Sequence, residues 1–134
     1  MGTHFTPINP LAGVGTERAD AARNRAKVLA AAEHLFSERG VANVSMDDVA
    51  DAAGVGKGTL YRRFGDRSGL AMAVLDGHDR SLQELLLRGD PPLGPGAPPR
   101  ERLMAFTDAM IDHIERVGPL LEAAGSARYR ISVY

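Results

Sequence analysis

Two short helical patterns separated by a three-residue break constrain this chain more than any other feature. The first pattern begins after Ser45, whose hydroxyl can accept a hydrogen bond from a backbone N–H of Asp47 or Asp48. The pattern stops at Gly54, which suits the left-handed conformation that ends a helix. After the break, a second pattern runs over residues 57–64. The sequence therefore predicts two short helices joined by a tight turn.

Each of these two helices has an apolar side and a polar side. Leu60 and Phe64 lie four positions apart in the second helix, so we expect both to face inward. The first helix is expected to turn Met46, Val49, Ala52 and Ala53 inward, and the second to leave Lys57, Thr59, Tyr61, Arg62 and Arg63 on its outer faces.

Two short helices around a glycine-containing turn describe a helix-turn-helix, whose second helix enters the major groove of DNA. The outward residue types suit that task, because Arg can bond bidentately to guanine, Thr can touch the thymine methyl, and Tyr and Lys can hold phosphates. Between Lys57 and Arg67, four cations stand against the single anion Asp66. In the alternative interpretation, the basic face is only solvated and the chain is a small helical protein-interaction module without DNA binding.

These residues carry a family resemblance. The stretch from Ser45 to Leu70, with its Gly-Thr-Leu-Tyr-x-x-Phe core at residues 58–64, resembles the DNA-binding signature of TetR/AcrR-family transcriptional regulators. The segment from Val28 to Gly40 is similar to the first helix of that family, and the resemblance extends over residues 23–75. It implies an all-α fold, in which a three-helix bundle with a helix-turn-helix precedes a partial helical effector or dimerisation domain.

The resemblance also implies a mechanism. The chain would be a repressor that binds a palindromic operator in double-stranded DNA as a homodimer and is released by a small apolar effector. Ser45 would meet a phosphate at a helix start, and Arg67 would meet another. The expected DNA-binding residues are Ser45, Lys57, Gly58, Thr59, Tyr61, Arg62, Arg63 and Arg67, and the expected effector contacts are Met104, Phe106 and Met110, for which ordinary core packing is the alternative.

Three positions depart from the family pattern. Gly56 stands where the family usually has Ser or another cap, so the start of the second helix is less well fixed. Gly69 replaces an acidic residue that usually completes a capping box, which we expect to weaken the fourth helix by ~0.5–1 kcal/mol. The pair Arg62-Arg63 replaces a more aromatic or His-bearing pair, so base preference does not transfer from relatives.

The whole chain divides, by pattern, into an N-terminal arm (residues 1–19), a helix-turn-helix domain (residues 20–66) and a linking helix with a partial ligand-binding and dimerisation domain (residues 67–134). Helix one is predicted from near Asp20 to Arg39, and helix four from its N-cap Asp66 to Leu87. The five prolines within residues 89–99 exclude a helix there. The later predictions are helix five from 100 to 117, a short helix six from Pro119 through 124, and a tail that is irregular or continues the helix.

Apolar stripes mark the inner faces of the longer helices. His78 lies on the stripe of helix four, where a hydrogen-bonded core histidine is a better interpretation than a metal ligand. The predicted stripes are Val28, Ala32, Leu35 and Phe36 in helix one, Leu70, Val74, His78, Leu82, Leu85 and Leu86 in helix four, and Leu103, Phe106, Met110, Ile114 and Val117 in helix five.

Composition excludes several other classes. The chain of 134 residues has no Cys, so disulfides and thiolate metal sites are excluded. It shows neither an apolar run long enough to span a membrane nor a secretory signal, and we expect a cytoplasmic protein. Its glycine-rich segment 54–59 lacks the Gly-Lys-Ser/Thr order of a phosphate loop. The scattered histidines and the carboxylates of helix five form no catalytic motif, so we expect no enzyme, no cofactor and no metal.

Overall fold

The computed structural model describes the backbone of residues 12–131 and the side chains of residues 15–125. Within that part of the chain the fold is all-α, as predicted, with one turn of 3-10 helix at Val41–Asn43 and no strand. None of these helices combines the length and the apolar character needed to cross a membrane. The helices are α1 (Ala12–Arg39), α2 (Met46–Ala53), α3 (Lys57–Phe64), α4 (Arg67–Arg88) and α5 (Pro99–Ile131).

Helix α1 is longer than predicted. It begins at Ala12 rather than near Asp20, so residues 12–19, which we assigned to the arm, are helical. The sequence hides this extension because side chains 15–20 are all exposed and therefore show no apolar period. Residues 1–11 of the predicted arm lie outside the described residues. The predicted end at Arg39 is confirmed, where the N–H of Gly40 bonds to the carbonyl of Phe36 at 2.9 Å.

The first four helices share one hydrophobic core, and α5 packs against it. The predicted inner face of α1 is confirmed, since Val28, Ala32, Leu35 and Phe36 are all buried. In α2 one prediction was wrong: Ala52 is exposed, and Ala50 is buried in its place. The face that meets α1 follows Met46, Val49 and Ala50 at helical spacing, and Ala52 falls off it. The other main core residues are Val41, Val44, Leu60, Phe64, Leu70, Ala71, Val74, Leu75, Val117 and Leu120.

Helix α4 runs beside both α1 and α5. Of its predicted stripe, Leu70 and Val74 are buried, and Leu85 is wrongly placed because it is 51% exposed. The stripe fades toward Arg88 because that end of α4 extends beyond the core. The remaining members of the stripe, His78, Leu82 and Leu86, are half-buried.

Adjacent polar residues of α4 reach its two neighbours. Nε2 of His78 lies 2.9 Å from Oε1 of Glu33 in α1, close enough for an ion pair but without hydrogen-bond alignment. The next residue, Asp79, contacts the ring of His113 in α5 with an Nε2 to Oδ1 distance of 2.9 Å. Both imidazoles are largely buried, with side chains 14% and 15% exposed. His78 thus lies against the core, as its place on the stripe predicted, but the hydrogen bond expected for a core histidine is not made by its Nε2.

The proline-rich segment forms the predicted non-helical loop between α4 and α5. Arg102, at the start of α5, fastens this loop. Its Nη2 donates to the carbonyl of Leu86 at 2.8 Å, and its Nε donates to the carbonyl of Leu93 at 3.2 Å. One guanidinium therefore joins the end of α4, the loop and α5.

Helix α5 is continuous, and the predicted break at Gly118-Pro119 was wrong. Pro119 lies inside the helix. A proline there removes one backbone hydrogen bond. The helix nevertheless stays continuous because buried residues pack on both sides of the proline, namely Val117, Leu120 and Ala124. The tail continues the helix through Ile131, which was one of the two alternatives; residues 132–134 lie outside the described residues.

The predicted inner face of α5 was partly wrong. Val117 is buried, and Phe106 and Met110 are half-buried. However, Leu103 and Ile114 are 64% and 59% exposed. The inward face turns toward Leu120 and Ala124 instead, which leaves an apolar side of α5 uncovered.

Candidate nucleic-acid interface

Ser45 caps the start of α2, as the sequence predicted, and a return bond to Asp48 completes a capping box. The N–H of Asp48 donates to Oγ of Ser45 at 3.0 Å, and the N–H of Ser45 donates to Oδ2 of Asp48 at 3.0 Å. These hydrogen bonds with Ser45, the backbone one first, and the charge of Arg39 hold the pKa of the Asp48 carboxyl below its usual value of 3.8. Both polar groups of Ser45 therefore already have partners within the protein.

The turn between α2 and α3 is set by Gly54, which has the predicted left-handed conformation at φ 68° and ψ 33°. Its N–H bonds to the carbonyl of Asp51, and the N–H of Val55 bonds to the carbonyl of Ala50 at 3.1 Å. This pair of bonds is the Schellman arrangement, in which a residue after the left-handed position usually makes an apolar contact. Val55 does so by packing against the core. The angle between the two helices is therefore fixed by backbone and core together.

Helix α3 is held by two residues and exposes the rest. Leu60 is 1% exposed and Phe64 9% exposed, which confirms both as anchors. Tyr61 is 48% exposed although it is a large aromatic residue. The other predicted contact residues on this helix, Lys57, Gly58, Thr59, Arg62 and Arg63, are exposed as well. The structure thus brings six of the eight predicted DNA-binding residues together on one short helix.

The cations of α3 make only weak contacts within the protein. Nζ of Lys57 lies 3.3 Å from Oδ2 of Asp47, with both side chains more than half exposed. Arg62 donates from Nε to the carbonyl of Gly58 at 3.3 Å, and Arg63 donates from Nη1 to the carbonyl of Ala21 at 3.4 Å. Exposed pairs of this kind contribute about 0–1 kcal/mol. A phosphate or a base edge can therefore compete for these side chains at little cost.

Arg67 has a different environment from the one its predicted role implied. Its Nη1 donates to the carbonyls of Ala42 and Val44, at 3.0 and 3.2 Å. Both carbonyls belong to the segment between α1 and α2. The structure thus places Arg67 as a brace that holds the start of α4 against the entry to α2, and its phosphate contact stays a prediction.

The junction between α3 and α4 is unusually tight. Gly65 has φ 78° and ψ −71°, and the N–H of Asp66 bonds back to the carbonyl of Phe64 at 3.0 Å, which makes a γ-turn. Asp66 then caps α4, as predicted, by accepting from the N–H of Gly69 at 2.8 Å. A Cβ at Gly69 would lie 2.0 Å from the carbonyl oxygen of Phe64. Our view of Gly69 as a simple weak point was wrong, because a larger residue does not fit this turn.

Residues of α1 outside the set of expected DNA-binding residues lie beside α3. The guanidinium of Arg25 stacks over the ring of Phe64, with its Cζ 5.3 Å from the ring centroid. The carbonyl of Ala21 accepts from Arg63, as noted above. Arg25 thus adds positive charge next to the exposed face of α3, and only the basic composition of residues 23–27 hinted at it.

The predicted effector contacts do not surround one cavity. Phe106 borders an apolar hollow of about 430 Å³ between the end of α4, the proline-rich loop and α5. Met104 is 62% exposed on the opposite side, and Met110 is half-buried away from the hollow. Besides Phe106, the hollow is lined by Leu86, Ala97, Pro99, Arg102 and Leu103. Within the described residues, no group of three or more His, Asp or Glu side chains is placed to bind a metal ion.

The geometry of α2, its turn and α3 defines a helix-turn-helix protein. A family model described as bacterial regulatory proteins, tetR family, matches residues 28–74, from the buried part of α1 to the first turns of α4. The helix-turn-helix of this chain is therefore similar to that of the tetR family of bacterial regulatory proteins.

Individual relatives agree with that assignment. The chain is similar to the HTH-type transcriptional regulator SAB2452 of Staphylococcus aureus strain bovine RF122 / ET3-1, with 47% identity over 58 residues. It is equally similar to the HTH-type transcriptional regulator SA2364 of S. aureus strain N315, also 47% identical over 58 residues. Each match covers 43% of this chain and 31% of the relative, so the likeness spans less than a third of the relative's length.

Proposed function

We propose that the chain is a sequence-specific transcriptional repressor of the cytoplasm that inserts α3 into the major groove of its operator. The observation that carries this proposal is the division of α3, in which Leu60 and Phe64 alone are buried and the polar residues stand outside. A helix of eight residues is about 12 Å long, close to the ~12 Å width of the groove.

The residues of α3 have distinct roles in this proposal. Arg62 and Arg63 read guanine edges or bind phosphates, and Lys57 adds a groove contact. Thr59 and Tyr61 meet base edges and the backbone. Gly58, which has no side chain, lets the DNA backbone approach the helix closely.

Ser45 and Arg67 support the interface from its border. The capping box of Ser45 fixes the start of α2, where the helix dipole favours a phosphate. Arg67 uses Nη1 for the carbonyls of Ala42 and Val44, and its remaining N–H groups are the ones that we assign to a phosphate.

The proposal includes a homodimer and an effector. Two copies would bind half-sites of a palindrome one helical turn, ~34–36 Å, apart or a multiple of it. The apolar hollow bordered by Phe106 has a size within the ~300–1,000 Å³ typical of small-molecule sites. A small apolar effector that fits this hollow in only one arrangement of α4 and α5 would shift the population away from the DNA-binding state.

The test begins with duplexes selected from a random pool by the full chain. Fluorescence anisotropy then measures the affinity for the selected duplex as salt is raised. A DNA reader should lose affinity linearly on a log–log plot, and each lost phosphate contact should reduce the slope by about 0.9. A chain that selects no consensus and binds no duplex at low salt is not a DNA-binding regulator.

Single variants locate the interface. Tyr61→Ala should abolish selective retention while helix content by circular dichroism stays unchanged. Arg63→Ala should lower either the salt slope or the base preference at one position. Arg88→Ala is the matched control, because Arg88 is an exposed arginine at the far end of α4. Equal losses for Arg63→Ala and Arg88→Ala would show that binding is not made by α3.

A further inference from the structure

A cavity lies where α1, α4 and α5 meet. Its volume is about 420 Å³, within the ~300–1,000 Å³ typical of small-molecule sites. Helix α1 contributes residues from one of its faces, α4 contributes His78, and α5 contributes residues around Pro119. The cavity shares no lining residue with the hollow bordered by Phe106. It is therefore a separate site, which we call the junction cavity.

The junction cavity has an apolar floor that belongs to the core. Phe36, Val41 and Leu120 form this floor and are 6%, 8% and 5% exposed. They come from α1, from the 3-10 turn after it and from α5, so the floor exists because these elements pack together. The cavity is thus a product of packing within residues 33–120, and it does not depend on how much of its rim is open to solvent.

The walls of the junction cavity carry two carboxylates. Glu33 lines it from α1, and Glu115 lines it from α5. Arg116 is the single guanidinium among the lining residues, so negative charge is in excess when His78 is neutral. Within residues 15–125, no side-chain hydrogen bond or ion pair engages Glu115 or Arg116. The charge of the walls therefore favours a cation.

His78 adds a buried polar atom that the described part of the chain does not satisfy. Its Nε2 lies 2.9 Å from Oε1 of Glu33, yet it has no hydrogen-bond partner there. In the neutral tautomer with the proton on Nδ1, Nε2 is an acceptor, and an ionised Glu33 offers only acceptors. Two acceptors then lie side by side. A donor bound beside them would stabilise both, because a buried polar atom without a partner costs free energy.

We propose that the junction cavity binds a small primary amine in its protonated form. An ammonium group has three N–H donors and no acceptor, which suits the acceptors of Glu33, Glu115 and His78. Hydrogen bonds between an ammonium and a carboxylate are among the stronger ones in proteins. The apolar body of the amine would lie on the apolar floor. The bound amine would join α1 to α5, the two helices that carry the carboxylates.

Isothermal titration calorimetry of the full chain with phenethylamine tests the proposal. Two controls have nearly the same shape, namely phenethyl alcohol, which is uncharged, and hydrocinnamate, which is an anion. The amine should bind at least ~10-fold more tightly than either control, because charge-assisted hydrogen bonds are about twice as strong as neutral ones. Equal binding of amine and alcohol, tighter binding of the anion, or no binding by a chain with native circular dichroism overturns the proposal.

Variants of the walls locate the bound amine. Glu33→Gln and Glu115→Gln keep the side-chain shape and remove the charge, and each should weaken phenethylamine by at least ~10-fold. Arg116→Gln should strengthen binding, because it removes a positive charge from the wall. Glu101→Gln is the matched control, since Glu101 is an exposed glutamate of α5 that does not line the cavity. Equal losses for Glu101→Gln and Glu115→Gln would mean that only general surface charge attracts the amine, against the proposal.

The histidine rings give a local readout by nuclear magnetic resonance. Saturation with phenethylamine should shift the ring signals of His78 and leave those of His34 unchanged, because the side chain of His34 is 70% exposed and lies outside the cavity. Unchanged signals of His78 would place the amine elsewhere and refute the site. These measurements use no DNA, and the variants leave α3 intact. Failure of amine binding is therefore distinguishable from failure of DNA binding.

Discussion

Gly69 offers a sharp test of the tight junction between α3 and α4. A Cβ at this position would lie 2.0 Å from the carbonyl oxygen of Phe64. The Cβ atoms of real proteins essentially never come within 3.0 Å of a non-neighbouring heavy atom such as this one, so this approach is 1 Å too close. That carbonyl is fixed, because it accepts from Asp66 and belongs to a residue anchored in the core. Gly69→Ala must therefore shift the turn or the start of α4.

The magnitude follows from two opposing terms. Replacing a helical Gly by Ala stabilises by about 1 kcal/mol. Forced movement of a packed segment costs about 1–3 kcal/mol, and weakening the Asp66 cap costs about 1 kcal/mol more. Gly69→Ala should thus lower the free energy of unfolding by roughly 1–3 kcal/mol, the balance of these terms.

Gly77→Ala is the matched control in the same helix. Nothing lies within 4 Å of a Cβ at Gly77, so only the gain of about 1 kcal/mol remains. Urea denaturation followed by circular dichroism should separate the two variants by roughly 2–4 kcal/mol, with opposite signs relative to the parent chain. If Gly69→Ala is as stable as the parent chain or more so, the tight junction described here is wrong.

Three further predictions concern the supports of the fold. Because folding lowers the pKa of Asp48 from its usual value of 3.8, the ionised Asp48 stabilises the fold above pH 3.8, and this stabilisation is lost as the pH falls through the lowered pKa. The loss in free energy of unfolding caused by Asp48→Ala, measured by urea denaturation, should therefore be full at pH 6 and shrink below about pH 4. Arg67→Met should lower the free energy of unfolding by about 1–3 kcal/mol, because the carbonyl of Val44 loses its hydrogen-bond donor. An unchanged melting temperature would contradict the bracing role of Arg67. Pro119→Ala should raise the melting temperature, because it restores a helix hydrogen bond and removes the clash of the proline ring, which together cost up to ~3 kcal/mol; a break at this position would predict no gain.

The features that the sequence predicted well depend on neighbours along the chain. The cap at Ser45, the turn at Gly54 and the anchors Leu60 and Phe64 are each specified within about one helical turn. Their residue types therefore reveal the geometry directly. The bounds of α3, and the exposure of its polar face, followed from these local signals.

The features that the sequence missed depend on distant partners. Arg67 donates to carbonyls 25 and 23 residues earlier, and no local pattern can show that its side chain is occupied. Helix α5 continues past Pro119 because Leu120 and Ala124 pack on other elements, which outweighs a local breaker. The inward face of α5 was mistaken for the same reason, since apolar spacing alone does not say which of two apolar sides meets the core.

Helix α4 connects two remote regions as one continuous helix. Its 22 residues span about 33 Å. Arg67 lies at one end, and at the other end the carbonyl of Leu86 accepts a hydrogen bond from Arg102. Over that length a tilt of about 5° displaces the opposite tip by about 3 Å, close to the 3.4 Å step between stacked base pairs. If α3 enters DNA as we propose, a small pivot of α4 at its proline-rich end would shift α3 by about one base-pair step.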